Sequence, residues 1–152
     1  MESIINRNEA YKSIIGELPE RRQYIFQMLE QVPNSSAWDI ADITEMPFNQ
    51  VAARITELKD LFLIIEVGSK INPKSKKSNT LYRVVTNLDE RIDLINEAFV
   101  EYRENKEKLE RDYHAGVSTL TKAMIKKEID KIKYQINSLS KILDYGKAVV
   151  AE

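Results

Sequence analysis

The sequence predicts a mostly helical protein with one small β-hairpin, divided into two domains, residues 1–87 and 88–152. Three observations predict this fold class. Apolar residues between residues 8 and 60 recur at the three- and four-residue spacing of a helix face. Two short stretches, 62–67 and 80–85, are rich in β-branched and aromatic residues, as strands are. From Leu88 onward the apolar residues follow a heptad pattern, which is typical of long paired helices.

The first half of the chain is predicted to form four helices in succession. The apolar spacing and the positions of proline set their bounds at 8–18, 19–31, 37–44 and 47–60. Pro33 ends the second helix, because the residue before a proline is pushed away from helical angles. Ser35 or Ser36 can cap the third helix. Since only Glu45-Met46 separates the last two helices, they are predicted to form a helix-turn-helix.

The fourth helix, 47–60, has an apolar and a polar face. Its apolar residues are Phe48, Val51, Ile55 and Leu58, and its candidate base-reading residues are Asn49, Gln50, Ala53 and Arg54. Asn, Gln and Arg side chains contact the edges of adenine and guanine with two hydrogen bonds each. The pattern therefore predicts that this helix enters a DNA major groove. The alternative is an ordinary exposed helix face, in which Arg54 pairs with Glu57 as a structural clamp.

The segment between the two predicted strands, 68–79, is polar and rich in turn residues, and we call it the wing. No acidic residue occurs between Val67 and Leu88, whereas the wing carries the candidate phosphate-binding residues Lys70, Lys74, Lys76 and Lys77. Lysines contact phosphates without reading sequence, so base specificity is expected from the helix. The alternative is a solvated loop.

The C-terminal half is predicted to be an antiparallel, coiled-coil hairpin of two long helices joined by the short link 115–118. Each helix carries an apolar stripe that steps by four and three residues. The apolar surface is wider than one hairpin needs, which favours packing on a second copy of the chain. The residues predicted to dimerise are Ile92, Ile95, Phe99, Tyr102, Ile132, Ile136, Leu139 and Leu143.

The distribution of charge agrees with a DNA-binding interpretation better than the total does. The net charge of the chain is −1, but it divides into −3 for residues 1–44, +3 for 45–87, −4 for 88–116 and +3 for 117–152. The predicted reading helix and wing therefore lie in a locally basic segment. The opposite charges of the last two segments favour pairing of the two long helices.

Residues 10–86 resemble the winged helix-turn-helix DNA-binding proteins, most closely the MarR-type group and small phage-encoded relatives. The resemblance rests on Asn49-x-Val51-x-x-Arg54-Ile55-x-Glu57-Leu58, then Leu63-Ile64, the basic wing and Leu81-Tyr82-Arg83-Val84. One position departs from the pattern, because such families usually have glycine where Phe62 stands. The two long helices are similar in plan to those of PadR-type regulators. The resemblance implies base contacts from 49, 50, 53 and 54 and phosphate contacts from the wing lysines.

The composition argues against most other classes of function. The chain has no cysteine and one histidine, so neither a thiolate metal site nor a histidine-rich one is expected. We expect no enzyme activity and no cofactor, because no recognisable catalytic frame or Gly-rich phosphate loop occurs. With no signal-peptide core and no long apolar run, the sequence predicts a cytoplasmic protein without membrane contact. The aromatic residues Tyr24, Trp38, Phe48 and Tyr82 are expected in the core.

Two functions of different classes fit these observations. The first is a dimeric transcriptional regulator that binds specific sequences of double-stranded DNA. The second is a winged-helix adaptor in a replication or recombination assembly, in a phage for example, which contacts another protein through the winged helix or the C-terminal helices. Retention of random DNA fragments would distinguish the two.

Overall fold

The computed structural model describes the backbone of residues 2–115 and 118–151, and the side chains of residues 7–115 and 118–142. Within these residues the order of elements is α1 (Glu2–Gly16), α2 (Glu20–Gln31), α3 (Ala37–Thr44), α4 (Phe48–Asp60), β1 (Ile64–Ile71), β2 (Ser78–Val84), α5 (Leu88–His114) and α6 (Thr119–Ala151). The mostly helical class with one small antiparallel hairpin is confirmed. The chain divides into two compact units, 1–91 and 92–152. The predicted boundary, after residue 87, falls four residues earlier.

The core of the first unit lies between α2, α3, α4 and the sheet. Its fully buried side chains include Ile25, Leu29, Ile40, Val51, Leu58, Leu63, Ile64 and Val85. Ser36, rather than Ser35, caps α3: its hydroxyl accepts from the Asp39 backbone N–H, and the Asp39 carboxylate accepts from the Ser36 N–H at 2.9 Å. This reciprocal pair is a capping box, which explains why a helix of only 8 residues begins where it does.

The C-terminal end of α4 is closed by a Schellman motif. The Leu63 N–H donates to the Leu58 carbonyl at 3.0 Å, and the Phe62 N–H donates to the Lys59 carbonyl at 2.9 Å. This geometry requires a left-handed residue, and Phe62 supplies it with φ of 57°. Phe62 therefore takes the backbone conformation that glycine favours. The missing glycine does not prevent this turn.

The two strands are longer than the sequence indicated. Pairing runs from Ile64 opposite Val84 to Ile71 opposite Ser78, with a bulge between Glu66 and Gly68. Half of the segment interpreted as a loop, residues 68–71 and 78–79, is therefore strand, and only residues 72–77 connect β1 to β2. These residues were assigned to a loop because their side chains are polar, whereas strands pair through backbone N–H and C=O groups that every such residue has.

Two of the aromatic residues expected in the core are largely exposed, Trp38 at 45% and Tyr24 at 41%. The inward face of the short helix α3 holds the buried Ile40 and Ala41, and Trp38 lies outside that face. Its ring stacks instead on Phe48, with centroids 3.9 Å apart and an interplanar angle of 14°. The prediction was wrong for Trp38 because a helix of only 8 residues buries one narrow face. It was wrong for Tyr24 because the buried face of α2 is formed by Ile25, Phe26 and Leu29, and Tyr24 lies outside it.

The first turn of α5 belongs to the first unit. Leu88 and Arg91 are buried, at 2% and 4% exposure. The Arg91 guanidinium donates twice to the carbonyl of Leu61, at 3.1 and 3.0 Å, where α4 ends. A cation at this position interacts favourably with the negative end of the α4 dipole. The first turn of α5 thereby fixes one end of α4.

The second unit consists of the rest of α5 together with α6. The Lys122 ammonium lies 5.8 Å from the centroid of the Tyr113 ring, so the last turn of α5 contacts the first turn of α6. Buried apolar residues occur along both helices: Ile95, Phe99, Ile129, Ile132 and Leu139. Over the part of the chain that the structure describes, none of the helices combines the length and the hydropathy that crossing a membrane requires.

Candidate nucleic-acid interface

Helix α4 has the two faces that its sequence predicts. Val51, Ile55 and Leu58 are buried, whereas Asn49, Gln50 and Ala53 are exposed. No described residue forms a hydrogen bond with the side-chain amides of Asn49 and Gln50. Both amides therefore keep their donors and acceptors for a ligand.

Arg54 has a different environment from the other candidate reading residues. Its guanidinium pairs with the Glu57 carboxylate at 3.0 Å, and the second oxygen of Glu57 accepts from Arg22 Nε at 2.7 Å. Each of the three side chains is 30% exposed. Because Arg22 belongs to α2, the shared carboxylate ties α4 to α2. The structure therefore places Arg54 in the clamp that the sequence left as an alternative.

Lys59, the other basic residue of α4, also has a carboxylate partner. Its ammonium lies 2.5 Å from Glu66 on β1. The hydrogen bond to Glu66 raises the pKa of Lys59, despite partial burial, which opposes the charged form. Both cations of this helix are therefore paired with acids.

The wing lysines divide into one paired residue and three unpaired ones. Lys70 on β1 pairs with Asp39, the capping-box residue of α3. Burial acts to raise the pKa of Asp39, but the bonds from Lys70 and Ser36 outweigh it, so the pKa lies below its ordinary value. Lys74, Lys76 and Lys77 are exposed, and no acidic side chain among the described residues lies within 4.0 Å of their ammonium groups.

The connection 72–77, which carries these three lysines, is held in shape by Asn72. The Asn72 N–H donates to the Lys77 carbonyl, and the Asn72 carbonyl accepts from the Lys76 N–H, both at 2.8 Å. The side chain of Asn72 accepts from the Lys74 N–H at 2.9 Å. The three unpaired cations therefore stand on a closed turn at the tip of the hairpin.

Thr56 is a surface residue of α4 that the sequence interpretation missed. It is exposed on the same side as Asn49 and Ala53, at steps of four and three residues. Its hydroxyl donates to the Ala52 carbonyl at 3.0 Å. Its spacing from Asn49 and Ala53 was sufficient to place it on the same face, but the sequence interpretation considered mainly the larger polar side chains that match base edges.

The residues predicted to dimerise differ in how far one chain already buries them. Ile95, Phe99, Ile132 and Leu139 are buried within a single copy. Ile92, Tyr102 and Ile136 are half-buried. The side chain of Leu143 lies outside the described residues. A second copy would therefore have to contact the half-buried residues and their surroundings rather than the buried stripe.

No protein-family model matches the chain, and a search of curated proteins finds no relative. Over the described residues, no group of three or more His, Cys, Asp or Glu side chains is placed to hold a metal ion.

Proposed function

We propose that the protein is a sequence-specific, double-stranded DNA-binding regulator of the winged helix-turn-helix type, in which α4 enters the major groove. The order α2, α3, α4, β1, β2 supports this proposal. So does the bridge between Ser35 and Tyr82, which adds a third extended segment to the sheet between α2 and α3. The three-residue turn 45–47 joins α3 and α4 as a helix-turn-helix requires.

One observation carries the proposal: an exposed helix face with two unpartnered amides and a hairpin tip with three unpaired lysines occur in the same unit. The amides of Asn49 and Gln50 suit base edges. The ammonium groups of Lys74, Lys76 and Lys77 suit phosphates, which supply affinity without sequence preference. Together they provide the two kinds of contact that a sequence-specific duplex binder needs.

We further propose that the protein acts as a homodimer held by α5 and α6. Ile92, Tyr102 and Ile136 are only half-buried in one copy, which leaves part of their apolar area for a second copy. Two reading helices held by a dimer would meet half-sites about one helical turn, roughly 34 Å, apart or a multiple of that distance. No cofactor or catalytic residue is part of this function.

The proposal is tested by separating phosphate contacts from base contacts. Replacing Lys74, Lys76 and Lys77 with Gln should weaken binding to all duplex sequences alike. It should also reduce the slope of log affinity against log salt by about 2–3, because each phosphate contact contributes about 0.9. Asn49→Ala or Gln50→Ala should instead reduce the preference for selected over random DNA. Fluorescence anisotropy with labelled duplexes at several salt concentrations measures both effects.

A matched control removes the same charge elsewhere. Lys126, Lys127 and Lys131 are exposed on α6, and their replacement with Gln changes the net charge equally. This control should leave the salt slope unchanged. An equal loss of slope in both triple variants would contradict phosphate binding by the wing.

The adaptor remains the second candidate, favoured by the surface of α3. Trp38 and Ile43 are 45% and 47% exposed, and Asp42 and Glu45 are exposed acids on the same short segment. Such a surface suits a protein partner better than a phosphate backbone. An adaptor should retain no random genomic fragments at micromolar protein and low salt, whereas the proposed regulator should retain them.

A further inference from the structure

The cationic side chains of α4 are both committed to carboxylates. Guanine is read in the major groove through its O6 and N7 acceptors, chiefly by arginine or lysine. Helix α4 carries one of each, and the structure pairs Arg54 with Glu57 and Lys59 with Glu66. Releasing Lys59 toward a base would leave Glu66 without its partner, and releasing Arg54 would leave Glu57 with Arg22 alone. Guanine recognition by this helix is therefore disfavoured.

The polar groups that stay available on α4 match adenine. Asn49 and Gln50 are exposed in its first turn, and their amides form no hydrogen bond with a described residue. A carboxamide has a donor and an acceptor side by side. Adenine presents an N7 acceptor and an N6 amino donor at the same spacing, so one amide satisfies both.

The next exposed positions along the same face end in methyl groups. Ala53 presents its Cβ, four residues after Asn49. Thr56 follows three residues later, and its hydroxyl is already donated to the Ala52 carbonyl at 3.0 Å. With that donor engaged, Thr56 can offer its methyl group and a hydroxyl oxygen that acts only as an acceptor. Alanine and threonine methyl groups are suited to the 5-methyl group of thymine.

We propose that α4 selects A·T base pairs, with the amides of Asn49 and Gln50 on adenine and the methyl groups of Ala53 and Thr56 on thymine. This inference rests on the proposed DNA-binding function and names the bases that the same surface takes. It also gives Arg54 a different role, because through Glu57 and Arg22 this side chain positions the helix rather than reading a base.

Removing only the thymine methyl group tests the inference directly. Two random-sequence duplex pools are prepared, one with thymine and one with uracil in its place, so that base pairing is unchanged. The full chain is mixed with both pools in competition at low salt, and the bound fractions are sequenced. The thymine pool should yield sequences enriched in A·T pairs. It should also be retained over the uracil pool by about four-fold for each contacted thymine, the effect of one buried methyl group.

Thr56→Ser isolates the contribution of one methyl group, because serine keeps the hydroxyl. This variant should reduce the preference for thymine over uracil by about four-fold. Thr44→Ser is the matched control, since the Thr44 hydroxyl donates in the same way to the Ile40 carbonyl but belongs to α3. The control should keep the full preference.

The outcomes separate this inference from the function on which it rests. Retention of both pools without discrimination, enrichment of G·C pairs, or an unchanged preference in Thr56→Ser would overturn the inference and leave DNA binding standing. Retention of neither pool would overturn the DNA-binding proposal and this inference with it.

Discussion

Two residues with side chains occupy left-handed backbone positions just after the C-terminal ends of α3 and α4. Glu45 ends α3 with φ of 56°, and Phe62 follows α4 with φ of 57°. A residue with a Cβ loses roughly 1–2 kcal/mol in this conformation. The half-buried ring of Phe62 recovers part of that loss by packing, whereas the exposed Glu45 has no comparable burial. The strain at Glu45 is therefore the less compensated of the two.

We expect Glu45→Gly to stabilise the protein by about 0.5–1 kcal/mol, because glycine accepts this backbone conformation and loses only part of the gain to its freer unfolded chain. Thermal unfolding followed by circular dichroism should show a midpoint higher by a few degrees. Gln27→Gly, at an exposed position inside α2, is the matched control and should lower stability by about 1 kcal/mol. A lower midpoint for Glu45→Gly would contradict the assigned strain.

The role of a residue could be predicted where its partner is near in sequence, and could not be predicted where its partner is distant. The cap of α3 was predicted to be Ser35 or Ser36, and Asp39, three positions after Ser36, is the local signal that identifies Ser36. Arg54 could be paired with Glu57 because they lie one helical turn apart. The second partner of Glu57, Arg22, is 35 residues away, and no spacing rule reports it. The sequence could therefore indicate the pairing of Arg54 with Glu57 but not the contact of Glu57 with α2.

At the scale of elements, the junction between β2 and α5 is held by one carboxylate. Glu90 pairs with Arg83 on β2 at 2.6 Å and accepts from both the N–H and the hydroxyl of Thr86 at 2.9 Å. Asn87 caps the same helix by accepting from the Glu90 N–H at 2.8 Å. The bond to Arg83, helped by Thr86 and opposed by burial, lowers the pKa of Glu90 to about 2.

This lowered pKa predicts a specific loss of stability in acid. A carboxyl whose pKa is lower in the folded than in the unfolded protein stabilises fully above its unfolded pKa, about 4.3. That contribution is lost as the pH falls from there to about 2. Glu90→Gln should be less stable than the wild type at pH 7, and the difference should shrink between pH 5 and pH 2. Urea unfolding across this range measures it.

The partner supplies the check on this assignment. Arg83→Gln removes the main cause of the pKa shift while leaving Glu90 in place. It should reduce the same acid-dependent difference. Parallel curves for the wild type and both variants would show that this junction does not respond to pH.

The bounds of an element were predicted accurately where the signal for them lies in neighbouring residues of the sequence. The bounds of α3 were predicted from its apolar spacing and cap, and the start of α5 from the first residue of its heptad pattern. Both agree with the structure. The strands extend into residues 68–71 and 78–79 because two backbones pair there, and composition carries no sign of that. A heptad pattern also does not specify which apolar residues of a long helix are buried within one copy of the chain and which stay accessible to a second copy.

At the scale of the whole molecule, the boundary between the two units decides which fragment should fold. Residues 88–91 begin α5 but contribute to the first unit through buried Leu88, the Glu90 pair with Arg83 and the Arg91 bonds to Leu61. A cut at the sequence-predicted boundary, after residue 87, removes all three. A cut after residue 91 keeps them.

We therefore expect the fragment 1–91 to fold and the fragment 1–87 to be less stable by about 3 kcal/mol or more, since it exposes the site of Leu88 and leaves the Leu61 carbonyl without its donor. For a domain of this size the unfolding midpoint should fall by roughly 12–24 °C, which calorimetry resolves.

Light scattering on the same samples tests the dimer, because the proposal places the subunit contacts beyond residue 91. The fragment 1–91 should be monomeric and the full chain should have about twice the mass of 17.6 kDa. Equal midpoints for the two fragments would contradict the role of residues 88–91, and a dimeric 1–91 would contradict dimerisation by the long helices.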